Sequence, residues 1–142
     1  MKTILTLRGA GNRGKSTTLG MLIELIKTAY PSATFEEKAK FKIDITIVIT
    51  INGKKVGIET QGDPNSRLGA SLKHFIKIGC TMIICASRSY GSTVDLVNAA
   101  AASGYRVKWF EKTKSANARD QLAANREAAK EVFNAFRAAI DA

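Results

Sequence analysis

Cysteine and histidine are scarce in this chain of 142 residues, which holds two of the first and one of the second. Both cysteines, Cys80 and Cys85, sit in or beside the apolar run Cys80-Thr81-Met82-Ile83-Ile84-Cys85-Ala86. Read as one strand, residues five apart point to opposite faces and cannot bond. A disulfide framework or a zinc site is therefore not expected, and both thiols read as buried and reduced. The lone histidine, His74, falls on an expected helix with no partner in view and reads as a surface or core-edge residue without a catalytic role. No apolar run approaches the length that spans a bilayer. The apolar part of Met1–Arg8 is too short for a signal peptide. The expected setting is the cytoplasm, with no membrane partner. Internal repeats and low-complexity linkers are also missing, and the length suits one domain, residues 1–142.

Positive charge, by contrast, is abundant. Lysine and arginine number 22 against 12 acidic residues, a formal charge of +10. Such an excess suits an anionic partner: nucleotide phosphates, nucleic acid or an acidic protein. Arg119, Arg126, Lys130 and Arg137 are spaced seven, four and seven apart and fall on one narrow helical face. Beside them Asp120, Glu127 and Glu131 form an acidic stripe. The two stripes could make a solvated face with local ion pairs. The basic one could instead be a surface for nucleic acid or an acidic protein, with Lys38, Lys40 and Lys42 contributing. No aromatic pattern accompanies these residues, so binding of single-stranded nucleic acid is not indicated.

Strand and helix patterns alternate, which predicts an α/β layer fold. A first strand over Thr3–Leu7 leads into a glycine-rich turn, and a helix over Lys15–Ala29 carries Leu19, Leu22, Ile23 and Ile26 on one face before Pro31. Residues Ser32–Lys42 lack periodicity and read as a mobile loop. Strict alternation from Ile43 to Ile51 then predicts a strand, and Asn52-Gly53 a tight hairpin turn into a strand over Lys55–Thr60. One of these two antiparallel strands is expected at a sheet edge. A helix over Arg67–Ile78 stops at Gly79, and Thr81–Ala86, apolar on both faces, reads as a central parallel strand. A helix from Ser92 or Thr93 to Gly104, a strand over Tyr105–Phe110 and a helix over Ala116–Ile140 follow. That last helix is expected to bury Leu122, Val132, Phe133, Phe136 and Ile140.

The segment Gly9-Ala10-Gly11-Asn12-Arg13-Gly14-Lys15-Ser16, followed by Thr17, fits G-x-x-x-x-G-K-[ST] without exception. Gly9 and Gly14 permit dihedrals and close approaches that a Cβ forbids. The loop amides turn inward as an anion site, and the next helix aims its free N–H groups at the same place. In this pattern Lys15 reaches the β- and γ-phosphates and the Ser16 hydroxyl ligates Mg²⁺. With an apolar strand before the loop and an amphipathic helix after it, the chain resembles the P-loop NTPase superfamily. The resemblance implies a three-layer α/β fold of about five strands, mostly parallel with one antiparallel hairpin strand, flanked by about four helices. It also implies a site for a nucleoside triphosphate and Mg²⁺ on Gly9, Ala10, Gly11, Asn12, Arg13, Gly14, Lys15, Ser16 and Thr17.

Such proteins place an acidic residue near the metal at the end of another core strand. Glu59, at a strand end, and Asp63, in the loop beyond it, are the candidates for holding Mg²⁺ or orienting a water. Each also has a plainer reading, Glu59 as a strand-end carboxylate and Asp63-Pro64 as a turn initiator. Glu59-Thr60-Gln61-Gly62 is similar to the D-x-x-G segment of Ras-like GTPases, with Glu for Asp, and the hairpin before it looks like theirs. The guanine-reading N-K-x-D is replaced by Ala86-Ser87-Arg88-Ser89, so ATP is expected over GTP. Arg88 follows the central strand, where open α/β sheets bind ligands. It could reach the γ-phosphate or simply face solvent. Ser87, Ser89, Ser92 and Thr93 could form a second phosphate turn or cap the next helix. The expected activity is Mg²⁺-dependent nucleotide hydrolysis with Lys15, Glu59, Asp63 and Arg88 as its catalytic set. The alternatives are a small-molecule or nucleotide kinase, and a nucleotide sensor with little turnover.

Overall fold

Among the described residues, six short segments with apolar residues on one or both faces become strands: β1 (Thr3–Arg8), β2 (Thr34–Phe41), β3 (Asp44–Ile51), β4 (Lys54–Glu59), β5 (Met82–Ser87) and β6 (Arg106–Glu111). Four helices join or follow them: α1 (Lys15–Ala29), α2 (Leu68–Lys77), α3 (Ser92–Ala101) and α4 (Ala118–Ile140). The computed structural model describes residues 2–11, 14–41, 43–112 and 117–141. Asn12, Arg13, Lys42 and the expected start of the last helix at Ala116 lie outside the described residues.

The strands form one mixed sheet in the order β2-β3-β4-β5-β1-β6. β5 pairs parallel with both β4 and β1, and β1 with β6, while β3 runs antiparallel to β2 and β4. β5 is buried at all six positions, as a strand covered on both faces must be. Alternation then divides the core. Leu5, Leu7, Ile47, Ile49, Ile58 and Ile84 pack with Leu19, Leu22, Ile23 and Ile26 of α1 and Val132, Phe136 and Ile140 of α4. Ile4, Val48, Ile83 and Cys85 pack on the other face with Leu68, Leu72 and Phe75 of α2 and Val97 and Ala100 of α3. The sheet thus lies between two helix layers. At the β3–β4 turn Asn52 and Gly53 both take positive φ, 51° and 79°, the conformation a two-residue hairpin requires.

Four expectations are corrected. Residues 34–41, read as loop, form β2, which carries Glu36, Glu37, Lys38 and Lys40 after Phe35 and whose pairing is broken by a bulge between Glu37 and Ala39. Charge and a bulge are how edge strands resist further pairing, and they erase the two-residue period. With β2 outside β3 and β5 beside β4, neither hairpin strand is an edge. On α4, Leu122 is 41% exposed, whereas Asn125 and Ala129 are buried. Cys80 precedes β5, so the parity argument does not apply to it. Both cysteines join the α2–α3 side of the core as free thiols, which burial pushes up to about 11 for Cys80 and about 12 for Cys85. Among the described residues no helix is long and apolar enough to cross a membrane.

Candidate functional site

Because β4, β5, β1 and β6 are parallel, their C-terminal ends reach one edge of the sheet. Chain leaving β1 passes to α1 on one face, and chain leaving β5 passes to α3 on the other. Divergence of this kind between neighbouring strands opens a crevice, the usual ligand position in open α/β sheets. Gly9 N donates to Ser87 O at 3.1 Å across it.

The glycine-rich loop bridges the crevice on the α1 side. Gly14 sits at the α1 N-cap in the left-handed region, φ 82°, where a Cβ is strained. A Cβ there would also lie 2.5 Å from Asn125 Oδ1. Glycine carries no acceptor, so no side chain caps α1 and its first-turn N–H groups point at the loop. Lys15 turns back into the loop and is 7% exposed. Its ammonium donates to the carbonyls of Gly9 and Ser87, the latter at 2.9 Å, and more weakly to Ala10 O at 3.4 Å. Burial lowers the Lys15 pKa to about 8, against the pull of the Asp63 carboxylate and with the push of Arg88. Ser16 Oγ donates to Thr60 O at 3.3 Å, joining the loop to the end of β4.

A cleft of about 190 Å³ opens here, lined by Gly14, Lys15, Ser16, Thr17, Ile43, Gly62 and Asp63. Gly62 is seated against β5, and a Cβ on it would lie 2.5 Å from the Ala86 carbonyl carbon. This close approach sets Asp63 beside the glycine-rich loop. Arg88 Nε donates to Asp63 Oδ1 at 2.9 Å, and the Arg88 guanidinium covers Gly11, 3.0 Å from where a Cβ would stand. Gly9, Ala10, Gly11, Gly14, Lys15, Ser16, Thr17, Asp63 and Arg88 thus converge. Asn12 and Arg13 lie outside the described residues.

Glu59 lies apart from this cleft. Strand parity puts Ile58 on the α1 side and Glu59 on the α2 side, fully buried. Its carboxylate accepts from Thr46 Oγ1, from Ser71 Oγ at 2.6 Å, from Gln61 N at 3.0 Å and from the Arg67 guanidinium at 3.3 and 3.4 Å. The Gln61 side chain is engaged as well, its Oε1 accepting from Arg67 N at 3.0 Å. The turn after β5 does not cap α3 through a side chain; instead Thr93 Oγ1 accepts from Arg88 N at 2.9 Å.

Three contributors escaped the sequence reading. Gln121 and Asn125, bonded to each other at 2.7 Å, bring α4 against Gly14. Their signal was a polar residue, Asn125, breaking the apolar stripe of that helix. Asp44 accepts from Thr60 Oγ1 at 2.9 Å and so ties the start of β3 to the same strand end. Among the described residues no group of three or more His, Cys, Asp or Glu is arranged to hold a metal by itself. The oxygen donors of the cleft, the Ser16 hydroxyl and the Asp63 carboxylate, suit Mg²⁺, which uses one or two protein ligands together with phosphate and water. No family model, curated protein or solved structure matches this chain.

Proposed function

We propose that the chain binds a nucleoside triphosphate with Mg²⁺ and hydrolyses it, as a small P-loop NTPase with the three-layer fold of that superfamily. The observation that carries this reading is the Lys15 ammonium, buried in the Gly9–Gly14 loop on neutral carbonyls at the uncapped start of α1. A buried cation whose direct hydrogen bonds go to neutral carbonyls gains strongly from an anion at the same loop. ATP is the expected nucleotide, because the residues after β5 are Arg88-Ser89 rather than a guanine-reading motif.

In this reading the loop amides, the α1 N-terminus and Lys15 hold the β- and γ-phosphates, and Ser16 with Asp63 holds the metal. When bound, Mg²⁺ neutralises charge on the β- and γ-phosphate oxygens. Arg88, over Gly11, is within the same crevice to meet the γ-phosphate. A water attacks that phosphorus in line as its bond to the β–γ bridging oxygen breaks, the nucleoside diphosphate leaves, and the water's proton goes to the phosphate product or to solvent; the protein contributes position and fixed charge rather than covalent chemistry. Glu59 works at one remove. By fixing Arg67 and the Gln61 amide it holds the loop that carries Asp63.

One observation favours a second reading, a nucleotide sensor with slow turnover. Glu59, a candidate for orienting a water, and its neighbour Gln61 are both committed to the Arg67 segment. Phosphate release from ATP and GTP with Mg²⁺ and a panel of nucleoside acceptors, beside Lys15→Ala, separates these readings. Release from ATP that is lost in the variant is the expected result. Nucleotide binding without release selects the sensor, and a phosphorylated acceptor establishes a kinase. Unchanged affinity for both nucleotides in Lys15→Ala would overturn the site itself.

A further inference from the structure

We propose that Arg88 makes metal binding conditional on nucleotide: its ion pair with Asp63 withholds that carboxylate from a divalent cation until phosphates take the guanidinium in exchange. This rests on reading the cleft as a triphosphate site. Four features of the crevice support it. The pair is direct, Arg88 Nε to Asp63 Oδ1 at 2.9 Å. It is also open to exchange, its side chains being 39% and 60% exposed, so parting them costs little. Both backbones are held while the side chains stay free. Arg88 N is fixed by Thr93 Oγ1 and Arg88 O by Ser87 Oγ, each at 2.9 Å, and the Asp63 loop is seated through Gly62 on β5. Lastly, the guanidinium already lies on Gly11, so only a short side-chain swing separates Asp63 from a phosphate on the loop.

Charge decides the direction of the exchange. Among the described residues, Lys15 and Arg88 bring positive charge to the Asp63 side of the crevice, against the Asp63 carboxylate. A bare divalent ion entering it must compete with Arg88 for the Asp63 carboxylate and then share the crevice with both cations, which repel it. A triphosphate reverses the balance: it pairs with Lys15 and Arg88 and leaves Asp63 as a ligand. The metal and the phosphates therefore bind as a unit, and each alone binds poorly.

The test is the affinity for Mn²⁺ alone, followed by the electron paramagnetic resonance of the free ion. The full chain is compared with Arg88→Gln, Arg88→Lys, Asp63→Asn and the Arg88→Gln/Asp63→Asn double variant. Loss of an exposed pair predicts Mn²⁺ binding about fivefold tighter in Arg88→Gln. Arg88→Lys, which keeps the charge, stays near wild type, and the double variant returns to weak binding. With a non-hydrolysable ATP analogue, wild type gains Mn²⁺ affinity and Arg88→Gln gains less. Equal affinity for Mn²⁺ alone in wild type and Arg88→Gln overturns the proposal, as does a gain that survives Asp63→Asn, which would move the ligand to Asp44 or elsewhere. If the analogue fails to bind wild type, the triphosphate reading falls, whereas the Mn²⁺-only comparison reads the Asp63 pair independently.

Discussion

Glu59 and Asp63 are separated by only three residues, yet their carboxylates have little in common. Glu59 is fully buried and accepts from side chains of β3, α2 and Arg67 and from the Gln61 amide. Asp63 is open to solvent, shares one ion pair with Arg88, and lines a cleft with the start of α1. A carboxylate whose acceptor positions are all filled by fixed donors has no freedom to take a new ligand, and its charge serves the fold. A carboxylate with one exposed, replaceable partner can change partners for little free energy. Placement rather than residue type separates the positioning group from the binding group.

The largest expected effect falls on the binding side of this contrast. Lys15→Ala should weaken ATP by at least about 100-fold, the loss expected when a charge-assisted hydrogen bond is removed from a partly buried site. It should not destabilise the nucleotide-free protein, because folding pulls the Lys15 pKa down and so opposes its charge. Calorimetric titration with urea unfolding on the same variant checks both halves. A loss of affinity accompanied by an equal loss of stability would place Lys15 with Glu59 as a fold element and erase the distinction.

On the positioning side the order should invert. Glu59→Gln leaves the Arg67 guanidinium without its buried partner and should cost about 2 kcal/mol of stability. Asp63→Asn, at an exposed pair, should cost less than about 0.5 kcal/mol. Asp63→Asn should nevertheless remove most of the metal dependence of nucleotide binding, while Glu59→Gln keeps it. Urea midpoints and nucleotide titrations with and without Mg²⁺ decide the matter. Intact stability with lost metal dependence in Glu59→Gln would return the metal to Glu59.

The residues differ in how far they could be read in advance, and the reasons are physical. The glycine-rich turn between β1 and α1 was plain because close backbone approach and a positive φ restrict residue type locally, at Gly14 above all. The apolar periods of α1 and β5 were plain for a similar reason: each buries a continuous face. The roles of Glu59 and Asp63 were not separable, because they depend on strand parity and on where β4 ends, and both emerge only when α2 packs on the sheet. β2 was hidden because an edge strand carries charge where an inner strand carries valine. Leu122, expected buried, is exposed and Asn125 is buried because the first turns of α4 lie against the loop at Gly14 rather than against the apolar core. One hairpin strand was expected at an edge because β2, which covers β3, was itself read as loop.

A smaller effect sharpens the contrast through pH. With its pKa lowered to about 8, Lys15 in the free protein is protonated below that pH and neutral above it. Phosphates at the loop favour the charged form, so binding above about pH 8 takes up a proton. Affinity should be flat with respect to this group from about pH 6.5 to 7.5. Above about pH 8 it should fall by up to about tenfold per unit until the bound-state pKa is passed. Nucleotide-free stability should move the other way, rising with pH between about 8 and 10.5, where the unfolded chain binds the extra proton. Trp109, the sole tryptophan, has its ring centre 4.6 Å from the guanidinium of Arg8, just before the loop, and serves as the fluorescent reporter. A nucleotide affinity that stays level to about pH 9.5 would mean that Lys15 is already fully charged in the free site and that its carbonyl cradle does not hold it back.

The smallest expected effect concerns the basic face of α4, away from both carboxylates. Arg119, Arg126, Lys130 and Arg137 are all exposed along this helix. Their restraints are weak: Lys130 lies 3.7 Å from Glu127, and the Arg137 guanidinium lies 5.7 Å from the centre of the Phe133 ring. Both contacts are weak enough to be exchanged for a phosphate, against the repulsion of the neighbouring Asp120, Glu127 and Glu131 carboxylates, and a partner there would be held by charge alone. The nucleic-acid reading therefore predicts weak binding of a short duplex at about 50 mM salt, with a steep salt dependence. Arg126→Glu with Lys130→Glu should lower the log–log salt slope by about two, one for each phosphate that these side chains would otherwise neutralise, while ATP affinity stays unchanged. Fluorescence polarisation of a labelled duplex measures the slope. No binding at low salt would leave α4 a solvated face, and an acidic protein as the remaining partner for the excess charge. A loss of ATP affinity in the double variant would instead show that the loop side and the α4 surface form one site, through the approach of Gln121 and Asn125 to Gly14.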